Sequence, residues 1–348
     1  MRVVVTIQHP AHVHFFRHAV AELRDLGHEV SVFAREKEVA VELLEAYGVD
    51  HEVLAGSAGS LPELAAVQLG YEVRLLRRVR RIDPDAIVAV GGVAAAHVGA
   101  ALGVPSVVFY DTEHASLIGR LAFPFADVVC TPDCYDGDLG RTHRRYPSYH
   151  ELAYLHPDRF TPDPAALDGV GLEPGDSYVV LRLVEWGASH DVGHGGVDDA
   201  PDLVARLERA GARVLVTAES GLPDALEPYR VSIAPEAIHH LLYYADAFVG
   251  EGATMAAESA VLGTPAVYVN SLSMGYTNEL ESHYGLLFGF DGAERQERAR
   301  EKAVELVEDG DRATFRRRRE RLLDDKVDAT DVVVREVLSA ATTEVAHA

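Results

Sequence analysis

The chain alternates short apolar runs with amphipathic stretches. Residues 2–7 are an apolar run of strand length. Residues 12–26 then place Val13, Phe16, Val20 and Leu23 at helical spacing, and Gly27 stops them. The alternation continues with strand 29–33, helix 36–47 closed by Gly48, strand 51–54 and a long helix over 61–82. Strand 86–90, helix 94–102 and strands 106–110 and 127–130 follow. Apolar strands between helices predict a parallel sheet covered on both faces. Five prolines between Pro147 and Pro174 break this pattern and read as an interdomain linker. The pattern then restarts with strand 178–183, helix 199–210, strand 213–217, a short strand at 231–233 and helix 236–244. Strand, glycine turn, helix, glycine stop and strand run from Phe248 to Val269, and helices fill most of 293–339.

These elements predict an α/β chain of two Rossmann-like, doubly wound parallel-sheet domains facing a cleft. The first spans 1–155, a linker 156–176 and the second 177–327. Residues 328–348 hold a helix crossing back toward the first domain, then a tail. A length of 348 residues is enough for two cores.

Composition narrows the class. No run approaches a membrane span, and the first strand is too short for a signal peptide, so a cytoplasmic protein is expected. Peripheral membrane contact stays compatible with this. The formal charge of −23 argues against nucleic-acid binding. Only Lys37, Lys302 and Lys326 are lysines among 32 basic residues. Acid excess with Arg in place of Lys resembles halophilic proteins, in which salt screens self-repulsion. Cys130 and Cys134 make no disulfide framework or familiar zinc pattern.

Candidate chemistry gathers at strand ends. Gly250-Glu251-Gly252 precedes a helix over 253–262, and two glycines there let backbone N–H groups and the helix dipole meet an anion. Thr254 adds a hydroxyl, and Glu258 a carboxylate within reach of a ribose diol. An ordinary crossover is the alternative. The first βα turn, Gln8 to His14, lacks G-x-G-x-x-G and so does not read as a nicotinamide fingerprint. Its histidines lie where doubly wound sheets bind ligands, and a neutral one there is a candidate base. Gly91-Gly92 forms a second loop at that edge. Asp111-Thr112-Glu113 follows the next strand and suits acid–base work or acceptor binding, with capping of the following helix as the alternative. Ser189 and His190 follow the first strand of the second half, and Asn278 lies after strand 266–269. Asp136-Gly137-Asp138 and Asp309-Gly310-Asp311 mimic metal-binding pairs but read as turns.

These loops, in this order, resemble the GT-B class of nucleotide-sugar glycosyltransferases, including the N-acetylglucosaminyltransferase that completes the lipid-linked cell-wall precursor. His12, in Pro10-Ala11-His12-Val13, matches that family's first-loop histidine, although the family's glycines are missing. Val90 to Val93 and Gly103 to Val108 are similar to its second glycine loop, helix and strand. Tyr244-Ala245-Asp246 with the Gly250 turn and Glu258 is similar to its donor-nucleotide motif. Asp111 to Ala115, Phe123 to Asp127 and Ala188 to Asp191 resemble an uncharacterised, largely archaeal family of predicted glycosyltransferases. Nucleotide-sugar 2-epimerases share the fold, with Glu113 near one of their acidic positions and Gly91-Gly92 replacing another.

The resemblance implies transfer of a sugar from a nucleoside-diphosphate donor, UDP-linked by preference, to a hydroxyl acceptor left open, a lipid-linked one included. Epimerisation and non-catalytic nucleotide-sugar binding are the alternatives. Gly250, Gly252 and Thr254 would hold the diphosphate and Glu258 the ribose, with Glu251, Ser189, His190 and Asn278 counted in the donor surface. His12, or failing that Glu113 or Asp111, would take the acceptor proton. No metal and no cofactor beyond the donor substrate are expected.

Overall fold

The computed structural model describes residues 1–58, 61–183, 197–218, 221–292 and 294–342. They form two compact units. One is Met1–Arg159 with the chain from Val327 onward, the other Phe160–Lys326.

In the first unit seven parallel strands lie in one sheet: β1 (Arg2–Ile7), β2 (Glu29–Arg35), β3 (Glu52–Ala55), β4 (Ala86–Val90), β5 (Ser106–Phe109), β6 (Val128–Pro132) and β7 (His143–Tyr146). Their order is β3-β2-β1-β4-β5-β6-β7, so the winding reverses between β1 and β4, which pair with Val5 opposite Val88. β1 is buried from Val3 to Ile7, as a strand covered on both faces must be. Helices α1 (Pro10–Asp25), α2 (Ala40–Ala46), α3 (Leu61–Ile82), α4 (Val93–Leu102), α5 (Ser116–Ala122) and α6 (Leu152–Leu155) connect or follow the strands. On one side Tyr71, Leu75 and Val79 of α3 pack with Val4, Ile87 and Ala94 in a sealed cluster. The Tyr71 hydroxyl donates to the Phe33 carbonyl at 3.1 Å, so its one polar atom is satisfied.

The second unit carries β8 (Tyr178–Leu183), β9 (Arg213–Ala218), β10 (Ala247–Gly250), β11 (Ala266–Val269) and β12 (Leu287–Phe290) in a parallel sheet of order β12-β11-β10-β8-β9. Its winding reverses between β8 and β10. Helices α7 (Ala200–Arg209), α8 (Ile238–Tyr244), α9 (Ala253–Leu262), α10 (Gly275–Glu279), α11 (Arg295–Asp309) and α12 (Arg312–Asp325) accompany it. The strand expected at 231–233 is absent: a single bridge between Val216 and Arg230 is all that forms. β7 and β12 went unanticipated. The proline-rich stretch is not bare linker, since a 3₁₀ helix over Pro164–Val170 buries Leu167 completely.

The last helix, α13 (Ala329–Thr342), belongs to the first unit. Thr330 Oγ1 donates to the Ala153 carbonyl at 2.7 Å. Arg159 binds Asp328 at 2.5 Å, Asp331 at 2.7 Å and Glu22 of α1 at 3.0 Å. Arg144 of β7 meets Glu336 at 2.5 Å. No helix among the described residues is long and apolar enough to cross a membrane.

Candidate active site

In doubly wound sheets ligands bind beyond the carboxyl ends of the strands, where the winding reverses. In the first unit this point lies after β1 and β4. α1 starts at Pro10, and His9 caps it by accepting the Ala11 N–H at 3.2 Å. One turn on, His12 Nδ1 accepts the Gln8 N–H at 3.3 Å. That bond assigns the lone pair to Nδ1, so the neutral ring carries its proton on Nε2. Burial, with the neighbouring charges of His9 and His150, holds the His12 pKa well below the ordinary histidine value against a smaller opposing pull from Asp111. His12 is therefore neutral near pH 7 and carries its N–H at Nε2.

Gly91 and Gly92 follow β4 with φ of +70° and +57°. A Cβ on Gly92 would lie 2.6 Å from Val108 Cγ2, so glycine here serves the close approach of α4 to β5.

Asp111 and Glu113 follow β5. Asp111 Oδ2 meets His150 Nδ1 at 2.9 Å, and Oδ1 accepts from Thr112 Oγ1 at 2.9 Å. Burial alone would raise the Asp111 pKa, but the charge and hydrogen bond of His150 and the Thr112 hydroxyl outweigh it and lower it. The carboxylate stays ionised. The capping alternative fails: α5 begins after Ala115, and neither Asp111 nor Thr112 caps it. Glu113 Oε1 accepts the Asp136 N–H at 3.2 Å. The same residue lines a cavity of about 490 Å³ with Tyr110, Arg120, Phe123 and Tyr135.

His150 is the residue that sequence reasoning missed. It is 8 % exposed, and its ring packs on Phe15 of α1 with centroids 4.5 Å apart. Its Nδ1 lies 2.9 Å from Asp111 Oδ2, so a neutral ring that gives its Nδ1–H to the carboxylate has its lone pair on Nε2. That atom is fully buried and has no hydrogen-bond partner among the described residues. The Tyr146 hydroxyl is buried and unpartnered in the same sense, and burial with the Asp111 charge nearby pushes its pKa far up.

In the second unit the reversal falls beside the end of β10. A Cβ on Gly250 would come within 2.6 Å of Phe248 Cζ and 3.1 Å of Arg182 Cβ, so this glycine answers to packing. Glu251 is buried; its Oε1 accepts the Val197 N–H at 2.5 Å, and its carbonyl accepts from Asn270 Nδ2 at 2.9 Å. These two bonds pin the turn. Gly252 is the N-cap of α9, with no atom of the described residues within 4 Å of where a Cβ would stand. The first N–H groups of a helix lack intrahelical acceptors, and the N-cap, a glycine, has no side chain to offer them. Thr254 and Asn278 are exposed. Glu258 is 4 % exposed and bonds His239 Nε2 through Oε1 at 3.0 Å. Ser189 and His190 lie outside the described residues.

A family model described as "Protein of unknown function (DUF354)" matches residues 1–275. The chain belongs to the DUF354 family. The match covers the sheets of both units as far as the start of α10. An uncharacterized protein of Methanocaldococcus jannaschii, MJ0665, is 23 % identical over 275 residues, covering 76 % of this chain and 80 % of its own. Among solved structures, the glycosyltransferase VinC in complex with dTDP aligns at TM-score 0.64 and 16 % identity, over 98 % of this chain and 99 % of VinC. UDP-GlcNAc 2-epimerase from Methanocaldococcus jannaschii aligns at TM-score 0.67 and 12 % identity, over 97 % of this chain and all of that one. The DUF354 chain thus has the GT-B fold, and the expectation drawn from its loops holds for the fold.

Proposed function

We propose that this DUF354 protein transfers a sugar from a nucleoside-diphosphate donor, with UDP and dTDP sugars first in line, to a hydroxyl acceptor. The observation that carries the reading is the glycine N-cap of α9, clear of other described atoms at Gly252, at the winding reversal of the second sheet. Backbone N–H groups and the helix dipole there suit the charge that builds on a leaving diphosphate. Thr254 adds a hydroxyl at the same helix start. Glu258 reaches the ribose through whatever capacity His239 leaves it. On the first unit, Asp111, Glu113 and the histidines supply the acid–base groups that activation of a hydroxyl needs.

The reading needs no metal. Asp311 is committed to capping α12, accepting the Thr314 N–H at 3.0 Å, and Asp138 to a turn, accepting the Gly140 N–H at 2.9 Å. The acid excess is read as adaptation to salt, and the chain should then gain stability as salt rises from 0.1 to 1 M and the Debye length falls from about 10 to about 3 Å.

The test is a melting-temperature screen of the full chain against UDP-GlcNAc, UDP-glucose, dTDP-glucose and GDP-mannose. A rise of several degrees with at least one donor is expected; no shift with any would remove the reading. Epimerisation is the second reading, favoured by Glu113 in its cavity. An epimerase incubated with UDP-GlcNAc in D₂O without acceptor would place deuterium at the sugar C2; a transferase leaves C2 unlabelled.

A further inference from the structure

In their neutral forms the two histidines of the first site hold opposite tautomers. His12 accepts at Nδ1 from the Gln8 backbone, so its Nε2 already bears hydrogen. It can donate to an oxygen, and it has no free lone pair with which to take a proton from one. A neutral His150 is the reverse: with Nδ1–H given to the Asp111 carboxylate, Nε2 carries the lone pair. A buried acceptor without a partner costs about 1–3 kcal/mol. Such an atom, in a ring fixed by Phe15 and Asp111, calls for an explanation, and a catalytic role is one.

We infer that His150, oriented by Asp111, is the base that deprotonates the acceptor hydroxyl, and that His12 is a hydrogen-bond donor to the reacting oxygens. This rests on the transfer reading above. The acceptor O–H proton passes to His150 Nε2. The oxygen forms its bond to the anomeric carbon as the bond from that carbon to the diphosphate oxygen breaks. The electron pair of that bond leaves with the diphosphate. Asp111 stabilises the imidazolium until its proton returns to solvent, and remains a carboxylate throughout. Asp111 is a positioning residue here. Besides Asp111, His12 on α1 acts electrostatically on His150, and Glu151 follows it in the chain, with Tyr146 of β7 beside both Asp111 and Glu151. Tyr146 and a neutral His12 carry no charge near pH 7, so Asp111 is the ionised group in contact with His150.

The first test needs no substrate. A long-range ¹H–¹⁵N correlation spectrum of the full chain labelled with ¹⁵N-histidine, assigned through His12→Gln and His150→Gln, reads both tautomers. The lone pair is expected on Nε2 of His150 and on Nδ1 of His12, and Asp111→Asn should mix the His150 tautomers. A lone pair on His150 Nδ1, or on His12 Nε2, would overturn the inference.

The second test follows release of nucleoside diphosphate from whichever donor shifts the melting temperature, with water as acceptor. His150→Gln, which keeps bulk and an acceptor, and His150→Ala should each lose 10²- to 10⁴-fold in turnover while the donor-induced melting shift is kept. Imidazole added to His150→Ala should restore part of the rate. Full turnover in both variants, with loss in His12→Gln, would make His12 the base. If no donor shifts the melting temperature, the transfer reading falls, and the tautomer spectrum still decides the state of His150 by itself.

Discussion

The two sites are built from different material. On the first unit the chemistry lies in side chains: an ionised carboxylate, an imidazole fixed against it with Nε2 unpartnered among the described residues, and a second, neutral imidazole. On the second unit the open feature is backbone. Its acidic side chains are already engaged, Glu251 by the Val197 amide and Glu258 by His239. The helix start at Gly252 adds backbone N–H groups to whatever these carboxylates leave for a ligand. A diphosphate asks for fixed N–H dipoles, which no titration disturbs, whereas removing a proton needs a group that changes state. Substitutions should therefore divide cleanly: first-site changes strike rate, and second-site changes strike fold or donor affinity.

The sharpest break would be His150→Gln, whose expected loss of at least about 100-fold in turnover should come with little change in melting temperature. A fold defect instead would make the first site as structural as Glu258. Next in size is Gly92→Ala, which combines left-handed strain with a contact 2.6 Å from Val108 Cγ2. It should cost about 2–4 kcal/mol in urea unfolding. Glu258→Ala, which strips a buried histidine of its acceptor, should cost about 1–3 kcal/mol in the same assay. A drop in donor affinity with unchanged stability would show the ribose role outweighing the structural one.

A smaller effect is expected with pH. His18 is lowered to about 4 by burial and then by the charges of Arg17 and Arg159, and His12 is lowered too. The unfolded chain binds protons to these residues below about pH 6.5, and the folded chain resists them. Stability is thus highest above pH 6.5 and falls as pH drops from there toward about 4. His18→Gln should flatten that limb by on the order of 1 kcal/mol, given the partial exposure of the site. The smallest effect is Gly252→Ala, with open space at Cβ and ordinary backbone angles. It should stay within about 0.5 kcal/mol in unfolding.

Periodicity made most of the fold legible. Strands 2–7, 86–90, 178–183 and 266–269 and helices 61–82 and 253–262 fall where the apolar runs and glycine stops put them. β7 escaped because His143-Arg144-Arg145-Tyr146 is a polar edge strand, and β12 because Leu287-Phe288-Gly289-Phe290 is four residues around a glycine. Val231 to Ile233 looked like a strand from β-branched residues alone, and no neighbour pairs with it beyond one bridge. Asp111 was readable as a polar residue ending an apolar strand. His150 was not, because it sits in a proline-rich stretch with no period. Its chemistry exists only through its contacts with Asp111 and Phe15, which the fold alone brings to it. Gly250 and Gly252, one motif in the sequence, turn out to do separate jobs, the first in packing and the second in opening the helix start.

The central claim is that α9 holds the donor's diphosphate by its backbone. It is tested most directly by titration calorimetry of UDP and dTDP against the full chain and against Gly252→Asp. Aspartate suits an N-cap and the backbone angles at 252, so the variant should fold as stably as the parent. Its charge opposes an anion at the same place. The account predicts that a nucleoside diphosphate binds the parent, that uridine and thymidine without phosphate do not, and that Gly252→Asp loses at least tenfold in affinity. Equal binding to parent and variant would contradict it.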